Sequence, residues 1–148
     1  MGRLRHPQPR PAAPEYRGEW PGVDEELLKT LPTVLRAVVR ALGFGRAREW
    51  LADHGGVNVS VPTHRTHALG LDANELARLR VTLAPHLDDA GRCWMPKPDK
   101  LFIRVRDVQI KRERFNASIN TLAHRHRLSS RHILNICRED DDGQFDLF

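Results

Sequence analysis

The sequence predicts a mainly α-helical fold with one short β-strand: an N-terminal region of helices and a strand, then a C-terminal helix-turn-helix. Three observations carry this. Apolar residues recur at helical spacing in several stretches that begin with Asp or Ser and end near Gly or Pro. One stretch, "VNVSVP", switches to a period of two. The charge is also unevenly divided. Residues 23–96 hold nine Lys and Arg against nine acids, residues 97–138 hold eleven against three, a net +8, and residues 139–148 hold five acids and no Lys or Arg. A neutral body therefore carries a basic module, and that module carries an acidic tail.

With 148 residues, 40% of them apolar, the chain is long enough for one modest domain or two small ones. Residues 1–22 are basic and rich in proline, with no apolar core that would make a signal peptide, and read as a disordered leader. No apolar run approaches the ~20 residues of a membrane span. Cys93 and Cys137 follow no metal or redox spacing and read as buried thiols. A cytoplasmic, nucleoid-associated location is expected.

Acids open "VDEELLKTLPTVLRAVVRALG", and Pro32 separates a short first helix from a second at about 32–42. "FGRAREWLADHGG" predicts another helix, roughly 45–53, in which Trp50 is the best core candidate. Val57, Val59 and Val61 alternate with Asn58 and Ser60, a half-buried strand over 57–61. A lone strand cannot satisfy its own backbone, so its partner must be another segment or a second copy of the chain. Asp72 with Glu75 predicts a capped helix to about Ala84. "GRCWMP" then repeats the order helix, Gly, apolar segment, Pro, a weak internal repeat. A helix over about 104–114 follows. Ser118 or Asn116 caps the next, and Ser129 caps the last, over about 130–138.

Ile119, Leu122, Ala123, Leu128, Ile133 and Ile136 fit two short helices crossing over a small core, with "RLSS" as the break. Arg127 stands where such turns commonly hold Gly, at a cost of about 1 kcal/mol if the backbone is left-handed. In the last helix, Ser130, Arg131, Leu134, Asn135 and Arg138 face away from Ile133 and Ile136, with the Ser129 cap beside them and His132 toward phosphate. Arg pairs with guanine edges, Asn with adenine edges, and Leu touches thymine methyls. Arg125 and Arg127, with Lys111, Arg112 and Arg114 on the preceding helix, suit phosphate contacts. Double-stranded DNA is thus the expected partner. His64 and His67, and His124 and His126, lack the further ligands a metal site needs. No nucleophile–base pair or phosphate-binding Gly loop occurs, so neither an enzyme nor a cofactor is expected.

"RDVQIKRERFNASINTLAHRHRLSSRHILNI" resembles the C-terminal half of the Mor transcription activators, the middle-operon regulators of Mu-like phages and prophages. The shared features are Arg106-Asp107, Phe115-Asn116-Ala117, Leu122-Ala123, Leu128-Ser129, Ile133 and Ile136, together with Gly55-Gly56, the alternating strand and Pro62 upstream. The resemblance covers roughly 34–138. Ala117 replaces a turn Gly, and "GRCWMP" looks like a degraded second strand. What the resemblance implies is a homodimer. Residues 23–96 would be its dimerisation domain, with Gly55, Gly56, Val57, Val59 and Val61 at the contact and a symmetric copy partnering the strand. Each chain would supply one helix-turn-helix, residues 97–138, to a dyad-symmetric promoter, and the dimer would recruit RNA polymerase.

The tail, residues 139–148, is expected to be a flexible acidic spacer. Its last five residues, Gln144, Phe145, Asp146, Leu147 and Phe148, resemble the pentapeptide by which bacterial replication and repair proteins dock on the sliding clamp. That implies an alternative function, a DNA-binding accessory of a mobile element that docks on the clamp. The same aromatic residues could instead pack on the protein's own body.

Overall fold

The computed structural model describes residues 16–146, with side chains described as far as Arg138. The fold is mainly helical with a small two-stranded antiparallel sheet. α1 (Glu25–Leu28) starts at Asp24, whose carboxylate accepts the Glu26 N–H at 3.0 Å. Pro32 opens α2 (Thr33–His54), as its missing N–H costs nothing there. α2 is broken at Gly43, where φ is 78°, so it comprises the two helical segments that the sequence predicts.

The expected strand forms as β1 (Val57–Ser60), and its partner lies in the same chain. β2 (Arg92–Met95) is the "GRCWMP" segment, and it pairs antiparallel with Val59 opposite Cys93 and Val57 opposite Met95. The two halves of the weak repeat are thus the two strands of one sheet. Gly56 N–H to Met95 O and Val61 N–H to Gly91 O (3.0 Å) extend the ladder at its ends. This corrects two expectations. β1 needs no second copy to satisfy this edge of its backbone, and the described residues hold two short strands rather than one.

Between the strands, α3 (Ala73–Leu83) carries a full capping box: Asp72 accepts from Glu75 N–H at 2.8 Å and Glu75 accepts from Asp72 N–H at 3.0 Å. A 3₁₀ turn, Ala84–His86, leads towards β2. α4 (Lys100–Glu113) begins one turn earlier than the predicted 104, because the Asp99 carboxylate caps it on Phe102 N–H. α5 (Ile119–His126) is capped by Ser118. α6 (Ser130–Asp146) runs on past the predicted end at 138.

Two apolar cores result. The larger gathers Leu28, Val38, Phe44, Trp50, Leu76, Leu79, Met95 and their neighbours, and also takes Phe102 and Val105 from α4. The smaller gathers Ile110 of α4 with Leu122, Ala123, Ile133 and Ile136. α4 therefore belongs to both. Phe44 and Phe102 meet edge-to-face at 5.4 Å across α2 and α4. The second tie is α2 against α5: a Cβ added to Gly45 would lie 2.7 Å from the His126 carbonyl carbon. Trp50 is buried as predicted, whereas Trp94 stands 59% exposed on the outer face of the sheet.

Candidate nucleic-acid interface

The junction of α5 and α6 is built from local hydrogen bonds. Ser118 Oγ accepts the Thr121 N–H at 3.1 Å and starts α5. At the other end Arg127 is left-handed, with φ 57° and ψ 43°. The Leu128 N–H bonds Ala123 O at 2.9 Å and the Arg127 N–H bonds His124 O at 3.4 Å, a Schellman closure. Arg at this position costs about 1 kcal/mol relative to Gly. Its side chain gives something in return, since Nη1 lies 2.7 Å from Glu49 Oε2 on α2. Ser129 then starts α6 by accepting the His132 N–H at 3.1 Å. Ser130 Oγ donates to Asn120 Oδ1 at 3.0 Å, clipping α6 to α5.

α6 buries Ile133 and Ile136 and half-buries Cys137. Opposite them Arg131, His132, Leu134, Asn135 and Arg138 are exposed, as expected from spacing. Arg131, Asn135 and Arg138 fall four and three residues apart and so share one helical face. Cys137 is therefore less buried than its flanking residues suggest. A polar cleft of about 570 Å³ lined by His124, Arg127, Ser129 and Ser130 lies at the start of α6. A second cleft of about 440 Å³ runs between α4 and α6, lined by Lys111, Arg114, Phe115, Ile119, Leu134, Cys137 and Arg138.

The arginines assigned to phosphates have partners within the protein. Arg112 pairs with Asp24, Arg125 with Glu113 at 2.5 Å, and Arg127 with Glu49. Arg114 donates to Ala117 O at 3.1 Å. These side chains hold the basic module to itself and to α1 and α2. Each of the three ion-paired arginines still keeps about half its side-chain surface in solvent.

Glu113 is the site residue that spacing did not flag. It accepts from Arg125 and from the buried His126, whose Nε2 is 2.7 Å from Oε2. Burial pushes the Glu113 carboxyl up, but these two hydrogen bonds and charges outweigh it and hold it below its ordinary value. Its signal in the sequence was that it is the single acid between residues 108 and 138.

The residues expected at a dimer contact serve this chain's own fold first. Val59 and Val61 are buried in the larger core, and Gly55 abuts Leu51 O and Lys97. Val57, opposite Met95, is half exposed at the end of the sheet. Gln144, Phe145 and Asp146 lie in α6 by backbone only, and Leu147 and Phe148 fall outside the described residues, so the clamp-docking expectation rests on sequence. Among the described residues no group of three or more His, Cys, Asp and Glu could hold a metal ion. No helix among them is long and apolar enough to cross a membrane. Comparison with family models, with curated proteins and with solved structures returned no match.

Proposed function

We propose that the chain is a sequence-specific DNA-binding regulator of transcription in which α5 and α6 act as a helix-turn-helix and α6 reads the major groove. One observation carries this reading. A left-handed turn at Arg127 and the Ser129 cap hold α6 over α5, so that Ile133 and Ile136 face the core and Arg131, Asn135 and Arg138 share the exposed side. An Arg and an Asn one turn apart can address adjacent base pairs, each good bidentate contact being worth about 1–3 kcal/mol of discrimination. The polar cleft at the N-terminus of α6 suits a phosphate, with the helix dipole behind it.

The resemblance to the Mor activators supports a homodimer on a dyad-symmetric promoter, with RNA polymerase as the recruited partner. In that dimer the exposed Trp94 and Val57 and the outer edge of β1 are the surfaces a copy would cover.

The test is selection of binding sites from random duplex DNA, followed by measured affinity. The wild type is expected to enrich one motif with two half-sites. Arg131→Ala with Asn135→Ala weakens binding to it by about 100-fold or more. An unchanged affinity, or the absence of any enriched motif, would sink the reading.

The sequence "QFDLF" supports a second role, docking on a sliding clamp. Immobilised clamp is expected to retain the full chain and to lose it when residues 144–148 are deleted. Equal recovery of both proteins would dismiss that role.

A further inference from the structure

We infer that the cleft between α4 and α6 is a docking site for the chain's own acidic, aromatic tail, residues 139–148, and that this docking competes with DNA. The inference rests on the DNA-binding reading only for its second half. The cleft has an apolar floor and a basic rim. Phe115, 89% exposed, and Leu134, 46% exposed, line it with Ile119 and Cys137, while Lys111, Arg114 and Arg138 stand around them. An almost fully exposed Phe beside an exposed Leu is apolar surface that a partner would bury.

The tail has the complementary chemistry. It carries five acids and no Lys or Arg, and apart from Gly143 its only apolar residues are Phe145, Leu147 and Phe148. It is also already at the site, because Glu139 follows Arg138, which lines the cleft. The five residues Glu139–Gly143 reach at most about 17 Å when extended, enough to turn the aromatic residues back. α6 runs to Asp146 in the structure, so docking opens its last turns, and Gly143 is the weakest helix former among them. A tether this short gives a millimolar effective concentration, so a weak contact suffices to fill the cleft.

The regulatory consequence follows from position. Lys111, Arg114 and Arg138 are three of the residues assigned to DNA, and Leu134 borders the base-reading face. A docked tail places carboxylates where phosphates would lie, and DNA must displace it.

The test uses the full chain and two tail variants: Phe145→Ser with Phe148→Ser, which leaves charge unchanged, and Asp140→Asn with Asp141→Asn and Asp142→Asn. The first readout needs no DNA. Cys137 lines the cleft and Cys93 is buried in the larger core, so maleimide labelling mapped by mass spectrometry reports cleft occupancy against an internal reference. Each variant is expected to label Cys137 about five-fold faster, consistent with a tether of millimolar effective concentration and a weak contact, with Cys93 unchanged. The second readout is affinity for duplex DNA at low salt, expected to rise by a similar factor of about five in both variants.

Unchanged Cys137 labelling in the Phe variant overturns the docking. So does protection that disappears on dilution, because the tail of a second copy would then be the occupant. Faster labelling with unchanged DNA affinity overturns the competition. Faster labelling in a protein that binds no DNA supports the docking and removes the DNA-binding reading.

Discussion

Replacing Trp50 with alanine is expected to lower stability by about 3–5 kcal/mol, a large share of the roughly 5–15 kcal/mol that a folded domain holds. Trp50 is 1% exposed and sits in the second half of α2, where it is among the largest side chains of the main core. Its indole N–H donates to Leu69 O at 2.9 Å, and its ring stacks on His54 with centroids 4.8 Å apart. The Leu69 contact matters beyond its area. Leu69 has φ 58°, a left-handed conformation that a β-unbranched aliphatic residue adopts only when its surroundings impose it. Removing the indole leaves a cavity, leaves a carbonyl without its donor, and releases the loop between β1 and α3. Urea denaturation gives the size of the loss, and Trp50→Phe separates its parts. Phenylalanine refills much of the volume without the hydrogen bond and is expected to cost about 1–3 kcal/mol. A loss below 1 kcal/mol for Trp50→Ala would mean that the core is not organised around this residue.

What could be read in advance follows from how local each cause is. Asp72 with Glu75, Ser118, Ser129, Pro32 and Gly43 act within a turn of their own position, so the helices they start or break were legible. The left-handed Arg127 was legible too, because only the backbone between two short helices decides it. The partner of β1 was harder. Arg92–Met95 does alternate, Cys93 and Met95 inward and Arg92 and Trp94 outward, but the large apolar Trp94 on the solvent side hides the period. The extent of α6 went unread because three aspartates near a helix C-terminus oppose its dipole and Gly143 weakens it further.

Within the candidate site, the exposed face of α6 followed from the 3.6-residue period alone. The partners of the supporting arginines did not. Arg127 meets Glu49 across 78 positions and Arg112 meets Asp24 across 88, and no local pattern encodes such meetings. Composition marks these residues as basic, and only the packing of α1 and α2 on α4 and α5 shows how many of them already hold a carboxylate. Arg131, Asn135 and Arg138 are presented outward, while Arg112 and Arg127 fasten the module to the body and Arg125 ties α5 to α4 within it.

That fastening depends on Gly45, and a single methyl group there is expected to undo it. A Cβ at this position would sit 2.7 Å from the His126 carbonyl carbon and 2.8 Å from its Cα and O, all backbone atoms that no rotamer change can move. Elsewhere in a helix Gly→Ala gains about 1 kcal/mol. Here α5 must retreat from α2, and the net loss is expected to be about 2–4 kcal/mol. The retreat would be felt where α6 is aimed. His126 precedes the left-handed Arg127, and Arg127 pairs with Glu49 one turn beyond Gly45 on α2. On the DNA-binding reading proposed above, Gly45→Ala is thus expected to weaken DNA binding as well as stability, although Gly45 lies on neither α5 nor α6. Gly22→Ala is the matched control, since a Cβ there meets nothing within 4 Å and is expected to change stability by less than about 0.5 kcal/mol. Thermal or urea unfolding of the two variants decides the matter. Equal stability would show that α2 and α5 are not in backbone contact, and the coupling between the two cores through this crossing would have to be abandoned.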